Sequence, residues 1–359
     1  MTFDKYYFEN FSVDTSFDES NPRYVMAMDG VDEVLTKVVK AEPYTLSKEQ
    51  FEDQRLVKAL LHVDVLQEKR GKLGLAVPVF VEKETTILQE LSANVAGSIS
   101  RLLVDNRDKI DHIICKVQNG YSKERNLYHL LCGSIFDGMI FDFLEENDLV
   151  TTSKIHETGL DYLVVLYQQS ELLESYSNCL LCSYNRMIQN GSGFVSFGDS
   201  DGDRKDFYRY FRLKELGRLS EEKKAYVAYE PDKLVQEFLH LLEGKVPEKE
   251  YVKVFEYFGY VKNGNPCIPV YDKTVDPIVE ELYHCVLELI KEPLTEALSK
   301  IENRTDLLSV AHGVPVKDIA NEIYHLIFGE VNEWMVKESM VAKPEYHEGE
   351  GRYLKSFER

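Results

Sequence analysis

An internal repeat constrains this chain more than any other feature, because a repeated unit must be packed twice. Val77-Pro78-Val79-Phe80 and Ile268-Pro269-Val270-Tyr271 share one apolar–Pro–Val–aromatic pattern. Leu127-Tyr128-His129-Leu130-Leu131-Cys132-Gly133 returns as Ile323-Tyr324-His325-Leu326-Ile327-Phe328-Gly329. Tyr128 follows Pro78 by 50 residues, and Tyr324 follows Pro269 by 55. Two motifs in the same order at similar spacing predict a duplicated unit. Tyr-His-Leu at helical spacing is also what ordinary helix packing produces, so His129 and His325 are read as packed or interface residues.

The same predicted elements precede each proline. In the first copy, apolar residues at 31, 34, 35, 38 and 39 give helical spacing, and Glu42-Pro43 ends that helix. Ser47 with Gln50 forms a capping-box pattern ahead of a second helix carrying Leu56, Ala59 and Leu60. A hairpin with a polar tip at Glu68-Lys69-Arg70-Gly71-Lys72 follows. In the second copy, Leu234, Val235, Phe238 and Leu242 mark the first helix. Tyr251, Val254 and Phe255 mark the second, and the hairpin turns at Asn263-Gly264. Long helices are expected after each hairpin, over 84–114 and 122–146 in copy one and from Val279 in copy two. Between the copies, Leu160–Tyr167, Cys179–Ile188 and Phe194–Phe197 read as strands, the last two joined by a turn at Asn190-Gly191.

The expected fold is mainly helical α+β, with two winged-helix-like modules, each with a long helical extension, separated by a small α+β insertion. The boundaries follow: an acidic aromatic arm over 1–22, module one over 23–84, its extension over 85–147 and the insertion over 148–228. Module two then spans 229–272, its extension 273–342, and a polar tail 343–359.

Charge narrows function. The chain has 359 residues, 42 Lys plus Arg against 62 Asp plus Glu, and a net charge of −20. That balance excludes a general nucleic-acid coat, which needs cations to neutralise phosphates. No run of about 18 uninterrupted apolar residues occurs, so no membrane partner is expected. The first residues lack the basic start and apolar core of a signal peptide. Six scattered cysteines do not form a dense disulfide framework, and the expected location is the cytoplasm. Cys179-Leu-Leu-Cys182 has metal spacing, but a structural zinc site wants four ligands. It is read as two buried thiols on a strand. Asp199, Asp201 and Asp203 alternate with small residues, but the sixth and twelfth positions of a calcium loop would be Arg204 and Tyr210. The stretch is read as a turn capping the next helix. No metal, cofactor or catalytic motif is assigned.

Two basic clusters stand out. Lys69, Arg70 and Lys72 sit at the first hairpin tip. Lys205, Arg209 and Arg212, at i, i+4 and i+7, share one face of a helix predicted over 204–218, with Phe207, Tyr208, Tyr210 and Phe211 between them. A surface helix with inward aromatics and acid-paired arginines accounts for this second cluster equally well. The helix–helix–hairpin–long-helix order over about 24–114 and 230–300 resembles the winged helix-turn-helix transcription regulators of bacteria. That resemblance implies duplex DNA as a partner, phosphate contacts from Lys69, Arg70, Lys72, Lys205, Arg209 and Arg212, and a homodimer or an equivalent pseudo-dimer. Against it, Glu49, Glu52 and Asp53 offset the cations of the first candidate recognition helix, and Glu248, Glu250 and Glu256 those of the second. The alternative is a winged-helix module that binds a protein partner or a small molecule and no DNA.

Overall fold

A computed structural model describes residues 1–226 and 228–359; Val227, inside the predicted insertion, lies outside the described residues. Half of the residues are helical and 17 % lie in strands, a mainly helical α+β fold.

The first half begins with β1 (Phe3–Glu9). Helices α1 (Val31–Lys40) and α2 (Gln54–His62) follow. Ser47 and Gln50 do cap, but they cap a single 3₁₀ turn; Asp53 caps α2 by accepting from the N–H groups of Arg55 and Leu56. The hairpin β2 (Leu66–Lys69) and β3 (Lys72–Leu75) turns through Arg70 (φ 54°) and Gly71 (φ 76°). Both angles are positive, as a two-residue type I′ turn requires. β4 (Val79–Phe80) leads into α3 (Glu82–Asp105). A continuous helical stretch, α4 (Lys123–Glu146), follows. By length and composition it could cross a membrane, but 67 % of its apolar window is buried inside the protein. β5 (Lys154–Ile155) and β6 (Asp161–Gln168) close this half.

Among the described residues β7 (Leu181–Gln189) has no counterpart in the first half. The second half then runs β8 (Ser192–Asp199), α5 (Phe207–Glu215), α6 (Pro231–Leu242) and α7 (Lys249–Tyr257). β9 (Val261–Lys262) and β10 (Asn265–Pro266) form a hairpin that again turns through positive φ, at Asn263 and Gly264. β11 (Val270–Tyr271), α8 (Asp276–Ser299), α9 (Val316–Lys337), β12 (Tyr346–His347) and β13 (Gly351–Glu358) complete it.

The repeat therefore runs through almost the whole chain. β4 pairs in parallel with β6, Val79 opposite Leu166, and β11 pairs in parallel with β13, Val270 opposite Phe357. Proline opens each short strand because its carbonyl can accept while its missing N–H is not needed. Leu166 N–H donates to Pro78 O at 3.0 Å, and Phe357 N–H to Pro269 O at 2.9 Å. On their other sides β6 pairs antiparallel with β1 and β13 with β8. β5 folds back on β6 as β12 does on β13. α3 and α8 are each 24 residues long. α3 packs on α9 and α8 on α4, while α3 meets α8 and α4 meets α9. Exchanging the halves leaves that contact pattern unchanged, which defines a pseudo-two-fold axis through the helical layer.

Three expectations are corrected. Residues 1–22 are no free arm, because β1 is a paired strand of the first sheet. The stretch 343–359 is no polar tail, because β13 lies between β8 and β11. The stretch 148–228 is no separate insertion: β6 completes the first half, β8 opens the second, and neither sheet closes without strands from outside it.

Candidate functional site

Where the two halves meet, a cleft of about 540 Å³ opens. Tyr6 to Val13 form one wall and Cys182 to Gln189 the other. The floor comes from the helical layer. α4 is wound as a π-helix over Tyr128–Met139, and Asp137 there leaves helical angles (φ −93°, ψ 18°). Wide turns of this kind displace side chains from the helical register and recur at functional sites. Here the distortion lies at the cleft. A second hollow of about 340 Å³ adjoins the first and shares Phe8, Asp137 and His325.

Glu322 and His325 lie one turn apart on α9, so both face the cleft from one helix face. Tyr167 hydroxyl donates to Glu322 Oε1 at 2.8 Å. His325 stacks on Phe8, ring centroids 4.2 Å apart. Its Nδ1–H donates to the Asn321 carbonyl at 3.0 Å, leaving Nε2 to face Asp137 Oδ1 at 3.6 Å. Burial pushes Glu322 up to about 7, with His325 opposing. Burial also raises Asp137, against bonds from His325 and the Tyr184 N–H. The floor thus holds two carboxyl groups without a full countercharge. Cys182 is raised by burial, which keeps its thiol protonated and a poor nucleophile. Among the described residues no serine, threonine or cysteine is hydrogen-bonded to Asp137, Glu322 or His325, so a nucleophile–base pair is not assembled.

One end of the cleft is closed by ion pairs. Arg23 Nε lies 2.7 Å from Glu9, and Arg212 Nη2 lies 2.6 Å from it. Burial alone would raise Glu9, but the two guanidinium groups outweigh it and hold the carboxylate below its usual range. Tyr208 hydroxyl donates to the same carboxylate at 2.8 Å.

The predicted basic face does not exist as free surface. α5 begins at Phe207, with Asp206 as its cap, so Lys205 precedes the helix. Lys205 lies 3.5 Å from Glu350. Arg209 donates to the carbonyls of Gly202 and, at 3.0 Å, Ser200. Arg212 is 4 % exposed and committed to Glu9 and Glu215. The Asp199–Asp203 stretch does not cap α5 either; Asp199 pairs with Arg352 at 2.7 Å and Asp203 with Lys223 at 2.6 Å. Of the two thiols read as buried on a strand, only Cys182 is so placed, for Cys179 is exposed in a 3₁₀ turn. The hairpin tip is different. Lys69 and Lys72 pair across β2 and β3, Lys69 Nζ sits 4.7 Å from the Tyr44 ring centroid, and Arg70 is exposed at the turn. Among the described residues none of the three has a carboxylate partner. The neighbouring Arg55 and Lys48 do, with Glu19 and Glu68.

The sequence motif marked His325 but as a packed residue. Asp137, Glu322, Tyr6, Phe8 and Tyr184 carried no signal, because they meet only through the duplication. The helix and strand contacts repeat about a pseudo-two-fold axis, and the cleft lies where the two halves meet. No protein-family model, curated protein or solved structure matches the chain.

Proposed function

We propose that this chain is a cytoplasmic, non-enzymatic binding protein of the regulator type, whose two winged-helix-like halves enclose a ligand site in the axial cleft. One observation supports this above the others: an open cleft at the junction of the halves is floored by the buried carboxyl groups of Asp137 and Glu322. Ligand sites are commonly concave, mostly apolar and furnished with a few convergent polar groups at such junctions. The test is a thermal-shift screen of small metabolites and short peptides against the native chain and Asn10→Trp. Asn10 is exposed on the rim shared by both hollows, so the indole obstructs entry without entering the core. Ligands that stabilise the native chain and not the variant support the reading. Ligands that stabilise both alike refute it.

Duplex DNA is the second reading, and the unpaired Lys69, Arg70 and Lys72 favour it. It stands second because Arg209 and Arg212 are internally committed and the other hairpin tip carries only Lys262. Its test is the salt dependence of duplex binding.

A further inference from the structure

The cleft walls are strand edges. A sheet face would present alternate residues to a cavity, whereas Tyr6 to Val13 and Cys182 to Gln189 line this one without a gap, odd and even alike. In an antiparallel pair, residues that exchange both backbone bonds alternate with residues that exchange none. Asn10 N–H donates to Asp161 O at 3.0 Å, and Gln169 N–H donates to Thr2 O at 2.9 Å. These bonds direct the backbone groups of even-numbered β1 residues at β6. The N–H and C=O groups of Lys5, Tyr7 and Glu9 point the other way. In β7 the two-residue turn at Asn190-Gly191 is closed by the pair Gln189 and Ser192, which commits Gln189, Met187 and Asn185 to β8. Tyr184, Arg186 and Ile188 therefore point outward, and the Tyr184 N–H helps to hold down the Asp137 carboxyl across the cleft. Among the described residues β1 pairs with no strand but β6, and β7 with none but β8.

The other half shows what such an edge accepts. β8 corresponds to β1, and its edge away from β13 is covered by β7. The matching edge of β1 is bare. Tyr6 bonds Asn178 at one end of the cleft, and Val13 joins the hydrophobic cluster of Met187 at the other. β1 and β7 thus run in the same direction, and one inserted strand would meet both in one sense. The wall cation Arg186 is already balanced by Glu358 at 2.8 Å. On the floor, Asp137 faces the His325 ring at 3.6 Å, and among the described residues Glu322 has the Tyr167 hydroxyl but no Lys or Arg partner.

We propose that the cleft takes an extended, Lys- or Arg-bearing segment of a partner protein, added as a strand between β1 and β7. Backbone bonds to both edges supply the affinity, and the floor selects a cationic side chain. This rests on the binding reading above and names its occupant.

The probe is a displayed library of random linear nonapeptides panned on the full chain. Enriched sequences carry Lys or Arg, and their synthetic peptides slow amide exchange in both β1 and β7 at least tenfold. Methylating alternate peptide nitrogens weakens binding at least tenfold. Ile188→Pro, which removes one outward N–H at an edge where proline is tolerated, also weakens it, whereas Ile188→Thr does not. Enriched peptides that bind regardless of methylation, or protect neither edge, overturn the proposal. So does a library with no enriched peptide; if the thermal-shift screen has then found a small molecule, the cleft remains the ligand site and only its occupant is wrong.

Discussion

Replacing Glu322 by Gln tests whether the cleft floor carries charge that the fold itself opposes. The Glu322 carboxyl is 6 % exposed and accepts from Tyr167 at 2.8 Å. Tyr6, Tyr167, Cys182, Asp137 and His325 surround it from β1, β6, β7, α4 and α9. Burial holds it to about 7, against an ordinary value of 4.5. Below pH 4.5 folded and unfolded chains both carry the proton, so it makes no difference. Between 4.5 and 7 the unfolded chain releases its proton first, and stability falls as pH rises. Above 7 the whole penalty is present. Two and a half pH units at 1.36 kcal/mol each make it about 3 kcal/mol. Glutamine keeps an oxygen for the Tyr167 hydroxyl and never ionises. The variant should match the native chain near pH 4.5 and exceed it by about 3 kcal/mol at pH 8. Urea titrations at pH 4.5, 6, 7 and 8 read the difference. A difference that does not change with pH, or shrinks as pH rises, refutes the placement of an uncompensated carboxyl in the cleft.

Gly133 and Gly329 occupy matching positions where α4 and α9 lie against β7. A Cβ on Gly133 would meet the Tyr184 ring at 3.0 Å, and one on Gly329 would meet Leu180 Cβ at 3.0 Å and Cys182 Cβ at 3.3 Å. Gly329→Ala is therefore expected to cost about 1–3 kcal/mol in denaturant titration, and Gly133→Ala less, since a ring can tilt. His312 is held neutral by burial, at about 4, and its Nδ1 accepts from Leu75 N–H at 3.2 Å. Its unfolded form protonates near 6.5, so it makes the fold lose stability as pH falls from 6.5 towards 4, and His312→Asn should flatten that acid slope. If the first hairpin contacts duplex DNA, Arg70→Ala should lower the salt slope of binding by about one unit; an unchanged slope removes Arg70 from any phosphate contact.

The helix–helix–hairpin units were legible because each element obeys a local rule. Periodic apolar residues mark α1 and α6, and positive-φ turns mark both hairpins. Pro78 and Pro269 were read as closing the hairpins, whereas the short strands after them pair elsewhere, with β6 and β13. What escaped was the reach of the repeat. β1 (FDKYYFE) and β8 (SGFVSFGD) hold equivalent places with no common sequence, because each is judged by its own neighbours. β13 read as a tail because its polar residues are satisfied only by distant groups. Arg352 needs Asp199 and Glu333, and the Lys355 ammonium donates to the Phe258 carbonyl. Arg209 and Arg212 read as surface cations for the same reason: their partners, a loop carbonyl at Ser200 and the carboxylate of Glu9, are fixed by tertiary packing.

The two halves differ at one sheet edge: β8 is covered by β7, whereas β1 pairs with β6 among the described strands, and the cleft opens beside that edge. In a homodimer any strand added to one subunit is added to both, and the two edges stay alike. Within a single chain β7 could be added to β8 alone. That closed one edge and left β1 open opposite the outer edge of β7. The same asymmetry divides the matching histidines. His129 is buried beside Ser356 and Tyr271, whereas His325 faces the cleft between Phe8 and Asp137. A symmetric pair of sites would predict equal effects from altering either histidine. The fused arrangement predicts that His325→Ala changes cleft binding directly, while His129→Ala acts only through stability.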